Sequence, residues 1–115
     1  MIRRGDIFFV DLEPVQGRDL GGRRPVLVVS ANSINCQPLV ITVVPGTDSA
    51  RVPRDHPVNV RVSAAESGLP RDTLFLGFQL RSLDPARFPE DRAGRMPPER
   101  MSEMDEALKR VLALG

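Results

Sequence analysis

Residues 3–30, RRGDIFFVDLEPVQGRDLGGRRPVLVVS, decide how this chain folds, because they hold two strand patterns separated by a long, glycine-punctuated loop. The first pattern, Asp6–Leu12, is rich in aromatic and β-branched residues. The second, Val26–Ser30, is a run of aliphatic residues ending in serine. A continuous run of that kind is typical of a strand that is buried on both faces. The stretch therefore predicts two strands joined by a charged loop.

The loop ends in an arginine pair that is followed directly by a proline. Pro25 fixes its own φ and favours an extended backbone at Arg24, so the guanidinium leaves the chain in a defined direction. A guanidinium at the mouth of a strand can hold a phosphate through two parallel hydrogen bonds. Gly17, Gly21 and Gly22 would let the backbone of the loop approach such a ligand closely. From the residue types alone, a solvated hairpin loop with surface arginines explains the pattern equally well.

The composition of the chain limits the number of domains, the location and the kinds of site that we expect. A length of 115 residues and a hydrophobic content of 41% predict a single globular domain over residues 1–115. No apolar run reaches about 18 residues, and the N-terminus lacks the apolar region of a signal peptide, so we expect a cytoplasmic protein without a membrane contact. The net charge of +1 gives no global signature of nucleic-acid binding. Cys36 and His56 are single residues of their types, so we expect no metal site and no cofactor.

The remaining pattern is mostly that of short strands. Strands are predicted over 38–44, 58–62 and 73–83, with a weaker one within 89–96 and a short helical turn over 84–88. Gly77 within the long strand indicates a bulge or a close backbone approach. A strong turn signal over Pro45–Ser49 ends the third strand. A helix is predicted to start at Pro97-Pro98, and its apolar face comprises Met101, Met104, Leu108, Val111 and Leu112. These elements predict a mainly β (α+β) fold, a small closed or half-closed antiparallel barrel with a C-terminal helix.

In this order the motifs resemble one known family along nearly the whole chain. They are RGDIFFVDL at 4–12, EPVQGRDLGGRRPVLVVS at 13–30, Pro-Gly-Thr at 45–47 and QLRSLDPARF at 79–88, followed by the amphipathic helix. Together they are similar to the MazF/PemK-type toxins of bacterial toxin–antitoxin pairs. The resemblance implies an SH3-like barrel and a homodimer. It also implies a metal-independent endoribonuclease that cuts single-stranded RNA, including mRNA, within short sequence motifs, and inhibition by a cognate MazE-like antitoxin. The implied reaction is attack by the 2′-hydroxyl, which gives a 2′,3′-cyclic phosphate and a 5′-hydroxyl end.

The resemblance also assigns roles to residues. Arg24 matches the family arginine that contacts the scissile phosphate, and Thr47 matches a threonine that contacts the phosphate or positions the attacking 2′-hydroxyl. Asp19 stands where the family usually has glutamate, so a carboxylate is kept with a shorter reach. Arg18 replaces a histidine found in some PemK-type relatives. The general base of the reaction is therefore left open.

Further residues around these are expected to bind RNA. By the same resemblance they are Arg18, Gly21, Gly22, Arg23, Asp48, Ser49 and Gln79. Asp48 is a mild departure from the family, in which many relatives carry a small polar residue beside the threonine. A carboxylate near a phosphate is unfavourable unless it points away. Phe9 and Phe78 are candidates for stacking on bases, but core packing is the favoured interpretation of each. His56, in a loop flanked by proline, is expected to be exposed and not catalytic.

Two other functions remain open on the same barrel. One is a non-catalytic toxin that binds a protein, such as a topoisomerase, or that binds RNA without cutting it. The other is a chaperone for single-stranded RNA, which the near-neutral charge disfavours because such proteins rely on neutralising phosphates.

Overall fold

The fold is known from a computed structural model that describes residues 1–13, 17, 20–37, 39–52 and 54–115. The described residues form seven strands: β1 Asp6–Asp11, β2 Arg23–Val28, β3 Ile41–Asp48, β4 Asn59–Val62, β5 Thr73–Leu76, β6 Arg81–Leu83 and β7 Gly94–Arg95. They also form three helices: α1 Asn32–Asn35, α2 Ala64–Ser67 and α3 Pro98–Val111. Short 3₁₀ turns lie at Ser49–Arg51, Gly77–Gln79 and Pro85–Arg87. None of the helices in the described ranges is long and apolar enough to span a bilayer.

The strands make one curled antiparallel sheet in the order β4-β5-β3-β2-β1-β7. The central strand, β3, changes partner along its length. Its N-terminal part pairs with β6 through Ile41–Val43, and its C-terminal part pairs with β5 through Gly46–Asp48. Because β3 pairs with β6 at one end and with β5 at the other, it belongs to both halves of the sheet, and the sheet bends along β3 into a half-barrel. The predicted mainly β architecture with a C-terminal helix is confirmed.

Both faces of the sheet are covered by buried side chains. One core cluster contains Ile7, Leu27 and Phe75 together with Met104 of α3. The other contains Phe8, Val26 and Val28 on the opposite face. The double burial predicted for the second strand is thus confirmed. The predicted apolar face of α3 packs on the first cluster through its middle, but Leu112 lies beyond the end of the helix and is 48% exposed.

Two predicted boundaries were wrong, because strand pairing overrides local turn propensity. Residues Pro45–Asp48 continue β3 instead of forming a turn, since Gly46–Asp48 pair with β5. Pro45 lies where β3 passes from one partner to the other, and a missing N–H is tolerated at such a position. The second strand also begins earlier than predicted, at Arg23, so Arg24 belongs to β2 and not to the loop.

The predicted long strand over 73–83 is two strands separated by the 3₁₀ turn Gly77–Gln79, so that prediction was also wrong. Gly77 lies against β4: its N–H donates to the carbonyl of Val58 at 2.9 Å. A Cβ on Gly77 would lie only 2.4 Å from that oxygen. The close backbone approach predicted from Gly77 is confirmed, and it explains why the chain turns there.

Glu66 of α2 bonds to Arg100 of α3, and its surroundings lead us to expect that the stability of the fold depends on pH. Its carboxylate accepts hydrogen bonds from the Ser63 backbone N–H at 2.9 Å and from Arg100 at 3.1 Å. These contacts, the Ser63 N–H first, lower the pKa of Glu66 below its usual 4.5. A lowered folded pKa adds stability above the unfolded pKa, and that stability is lost as the pH falls through the folded pKa.

We therefore expect Glu66→Gln to lower the melting temperature at neutral pH. The difference from the unchanged protein should shrink as the pH falls below 4.5, the usual pKa of the group. Melting curves followed by circular dichroism over an acid-to-neutral series measure this. A difference that stays constant down to pH values well below that pKa would contradict the assignment.

Candidate active site

Arg24 and Thr47 meet at one end of the sheet, on neighbouring strands. Arg24 lies near the start of β2 and Thr47 near the end of β3, and in an antiparallel pair these ends coincide. The Arg24 Nη1 donates to Thr47 Oγ1 at 3.2 Å. The Arg24 Nε donates to the carbonyl of Gly21 at 2.6 Å. The guanidinium is therefore fixed at two points before any ligand arrives.

This arrangement leaves hydrogen-bond donors available for an anion. A guanidinium has five N–H groups, and two of those on Arg24 are used by Gly21 and Thr47. Since Thr47 accepts from Arg24, the proton of its own hydroxyl remains to be donated. Within the described residues no carboxylate pairs with Arg24. The pair can thus present several donors to a single phosphate or similar anion.

The glycine loop before β2 holds Arg24 in place. The Leu12 N–H donates to the carbonyl of Gly22 at 2.9 Å, and the Gly22 N–H donates to Glu13 Oε1 at 2.8 Å. Gly22 has a φ of +75°, a left-handed conformation that favours glycine. These bonds close the end of the loop, so the Gly21 carbonyl is presented directly to Arg24.

The carboxylate of Asp48 is tied up by neighbours of its own. It accepts from the Ala50 N–H at 3.0 Å and from Arg71 Nη1 at 3.0 Å. The Ala50 hydrogen bond first, and then Arg71, lower the pKa of Asp48 below its usual 3.8, so the group stays ionised at neutral pH. Since successive residues of a strand face opposite sides, Asp48 points away from the face that carries Thr47. Arg71 also balances the charge of Asp48. The carboxylate is therefore not expected to repel a phosphate bound at Thr47, which was the concern that the sequence raised.

Arg61 of β4 holds the segment that follows Thr47, and sequence reasoning missed it. Its guanidinium donates to the carbonyls of Ser49 and Val52 and pairs with Asp55. One side chain thus anchors three points between the end of β3 and β4. The sequence predicted β4 from the alternation of its apolar and polar residues. That alternation identifies Arg61 as outward-facing, but it does not indicate which groups Arg61 contacts.

The other predicted site residues have different surroundings. Arg18 and Asp19 lie outside the described residues. Arg23 is exposed, with its guanidinium 5.1 Å from the centroid of the Phe9 ring. Ser49 is half-buried, and its N–H donates to the Asp72 carbonyl at 3.1 Å. Gln79 is half-buried in the 3₁₀ turn between β5 and β6.

His56 and the two phenylalanines differ in exposure. His56 is exposed, as the sequence predicted, and its Nδ1 accepts from the Val58 N–H at 3.3 Å. Phe78 is exposed as well, so its assignment to the core was wrong, whereas Phe9 is half-buried. In the part of the chain that the structure describes, no cluster of three or more His, Cys, Asp or Glu could hold a metal ion.

A family model described as PemK-like, MazF-like toxin of type II toxin-antitoxin system matches residues 3–112. This chain belongs to the PemK/MazF toxin family. A relative from Bacillus subtilis (strain 168), the endoribonuclease EndoA, is 34% identical over 99% of this chain and 97% of its own. The endoribonuclease MazF of Staphylococcus epidermidis is 33% identical over 100% of this chain and 94% of its own.

Solved structures agree with this membership in the toxin family. The crystal structure of MazF from Deinococcus radiodurans superposes with a TM-score of 0.81 at 25% identity, covering 97% of this chain and 96% of that one. A mycobacterial endoribonuclease in complex with its cognate antitoxin superposes with a TM-score of 0.80 at 23% identity, covering 100% of this chain and 98% of the other. This member of the toxin family thus has the same fold as the solved MazF structures.

Proposed function

We propose that this chain is an endoribonuclease that cleaves single-stranded RNA without a metal ion. The 2′-hydroxyl beside the scissile phosphate attacks the phosphorus, which yields a 2′,3′-cyclic phosphate and a 5′-hydroxyl end. The observation that carries the proposal is the hydrogen-bonded pair of Arg24 and Thr47, pre-positioned with donors to spare. Its two named relatives, at 34% and 33% identity, are both endoribonucleases, which supports the same activity here.

The pair suits this reaction because negative charge builds up on the non-bridging phosphate oxygens in the transition state. Fixed donors aimed at such oxygens stabilise the transition state without reorganising during the step. Arg24 supplies the charge and two or more N–H groups, and Thr47 supplies a neutral O–H. Arg24 therefore takes the role that a metal ion has in other nucleases. Asp19 is the carboxylate that we assign to orienting Arg24 or acting as base.

The proposal includes partners and a location. A cognate MazE-like antitoxin neutralises the toxin, and the toxin acts as a homodimer in the cytoplasm, with mRNA as substrate. Large apolar side chains that remain exposed on the single chain support a protein partner; they include Ile34, Leu39, Phe78, Leu112 and Leu114. Sedimentation of the purified chain at several concentrations tests the homodimer.

Incubation of the purified chain with a long RNA of mixed sequence, in excess EDTA, tests the activity. We expect cleavage at a restricted set of sites, with 5′-hydroxyl ends that polynucleotide kinase labels without prior phosphatase treatment. Ends that carry a 5′-phosphate, or activity that needs a divalent cation, would contradict the mechanism. An inert chain that instead causes DNA damage when expressed would favour the non-catalytic, topoisomerase-directed toxin.

The role of Thr47 predicts the effect of a substitution that keeps the shape of the side chain. We expect Thr47→Val to lower the cleavage rate by about tenfold or more, because it removes one charge-assisted donor to the phosphate. Thr47→Ser keeps the hydroxyl and is the matched control, with a rate close to that of the unchanged protein. Equal losses for the valine and serine variants would indicate that packing of this buried residue, 7% exposed, and not its hydroxyl, is what matters.

A further inference from the structure

A small depression opens on the other face of the strands that carry Arg24 and Thr47. It measures about 170 Å³, and we name it the Phe9 depression. The residues of it that matter here are Phe9, Pro25, Asp48, Leu69, Pro70 and Arg71. Pockets for drug-sized ligands measure roughly 300–1,000 Å³. The Phe9 depression is therefore of a size for one flat ring system.

The position of this depression follows from strand geometry. Pro25 comes directly after Arg24 in β2, and Asp48 comes directly after Thr47 in β3. Because neighbouring residues of a strand face opposite sides, the depression and the Arg24–Thr47 pair are back to back at the same strand ends. An extended chain that holds a phosphate on the pair can pass round these ends and set an adjoining group in the depression.

The walls of the Phe9 depression suit a nucleobase. Phe9 stands in register with Pro25, and the guanidinium of Arg23 lies 5.1 Å from the Phe9 ring centroid. Unstacked RNA bases bind on aromatic rings and on arginine planes. The depression thus combines an aromatic wall with a nearby cation.

The charged groups at the rim suit the rest of a nucleotide. Arg71 is 77% exposed beside the ionised carboxylate of Asp48. With Arg23 near Phe9 and Arg71 on the rim, two cations are available for the phosphate on the side of the bound base that is away from the cleaved bond. The Asp48 carboxylate accepts two protein hydrogen bonds and has lone pairs left for the exocyclic amino group of a base. Uracil is the poorer donor here, because its single N–H lies between two carbonyl oxygens that repel a carboxylate. An aromatic side chain of a protein partner would use the ring wall but would not need two flanking cations.

We propose that the Phe9 depression binds an unstacked base of the RNA next to the cleaved bond, and that Asp48 selects a base with an exocyclic amino group over uracil. The inference rests on the proposed ribonuclease function. It assigns to Asp48 and Arg71 the choice of base at one position, and it leaves the reaction itself to Arg24 and Thr47.

The test compares cleavage profiles on RNA with randomised positions around the cut, read by mapping all 5′ ends. We expect the unchanged protein to favour adenine, cytosine or guanine over uracil at one position next to the cut. Asp48→Asn should reduce that preference by about tenfold, because an amide both donates and accepts where the carboxylate only accepts. Arg71→Gln should weaken it in the same direction by freeing Asp48 to move.

The chain offers a close control for Asp48. Asp84 accepts from the Ala86 N–H at 2.8 Å at the start of the turn Pro85–Arg87, as Asp48 does from Ala50 at the start of Ser49–Arg51. Asp84→Asn therefore repeats the loss of a turn-capping carboxylate away from the depression and should leave the profile unchanged. Arg3→Gln, at an exposed position, is the control for Arg71→Gln.

A binding measurement keeps the proposal open to refutation if folding is affected. Phe9→Leu should weaken binding of an RNA made uncleavable by a 2′-deoxy nucleotide at the cut about tenfold, while melting curves report whether the variant is folded. If the unchanged protein cuts RNA but the Asp48→Asn and Asp84→Asn profiles coincide, the inference is wrong. A uniform loss at all sites without a change of preference overturns it as well. An unchanged protein that cuts no RNA at all refutes the proposed function itself.

Discussion

Arg24→Ala is expected to lower the single-turnover rate of RNA cleavage by about 100- to 1,000-fold, the usual loss when one fixed donor to a developing oxyanion is removed. The reason is geometric. The guanidinium is held by the Gly21 carbonyl and Thr47 Oγ1, at 2.6 and 3.2 Å. Among the described residues no carboxylate pairs with it, so its remaining donors are left for a phosphate. The rate is measured on one oligonucleotide with a single cut site.

Stability must be followed in parallel, because the same side chain also tethers the loop. The two lost hydrogen bonds cost about 1 kcal/mol each, so the melting temperature should fall by roughly 5–10 °C while the variant stays folded at the assay temperature. Arg24→Lys keeps the charge but not the planar fork, and it should recover only part of the rate. Arg3→Ala, at an exposed arginine, should change neither quantity. Cleavage by a folded Arg24→Ala variant at the unchanged rate would remove Arg24 from the mechanism.

Gly77→Ala is expected to be the most destabilising of the small substitutions considered for this fold, at about 3 kcal/mol. The added Cβ would lie 2.4 Å from the Val58 carbonyl oxygen, which is backbone and cannot rotate aside. The strand and the turn would have to separate, and the hydrogen bond from the Gly77 N–H to Val58, 2.9 Å long, would be lost. Urea unfolding at equilibrium gives the free energy of unfolding for comparison.

Gly68→Ala separates this clash from the general cost of replacing glycine. Gly68 ends α2 with a φ of +83°, and a Cβ there meets no atom within 4 Å. Its cost is limited to the left-handed backbone, about 1 kcal/mol. If Gly77→Ala costs no more than Gly68→Ala, the packing of the turn Gly77–Gln79 on β4 is not as tight as the structure indicates.

Much of the fold was predictable because hydrophobic pattern and turn chemistry agreed along the chain. The double burial of β2, the helix start at Pro98 and the special role of Gly77 all follow from local sequence. The failures came where tertiary pairing decides the conformation. The local sequence of Pro45–Asp48 predicts a turn, yet pairing with β5 makes this segment part of a strand.

The candidate site was predictable only in part. Arg24 and Thr47 were identified through a family resemblance, and their contact needed the antiparallel register of β2 and β3 to be known. The partner of Asp48 could not be deduced, because Arg71 is 23 residues away and reaches Asp48 through the pairing of β3 with β5. Arg61 was missed for the same reason, since its contacts lie across a turn in another element.

The central claim is that Arg24 and Thr47 stabilise a phosphate that is attacked by the neighbouring ribose. The most direct test uses an RNA with one cut site and a single 2′-deoxy substitution at the nucleotide that supplies the attacking hydroxyl. The account predicts that this RNA is not cut, and that it inhibits cleavage of the unmodified RNA by binding to the same site. Cutting of the substituted RNA at the same position would show that another nucleophile acts, and the mechanism would be wrong.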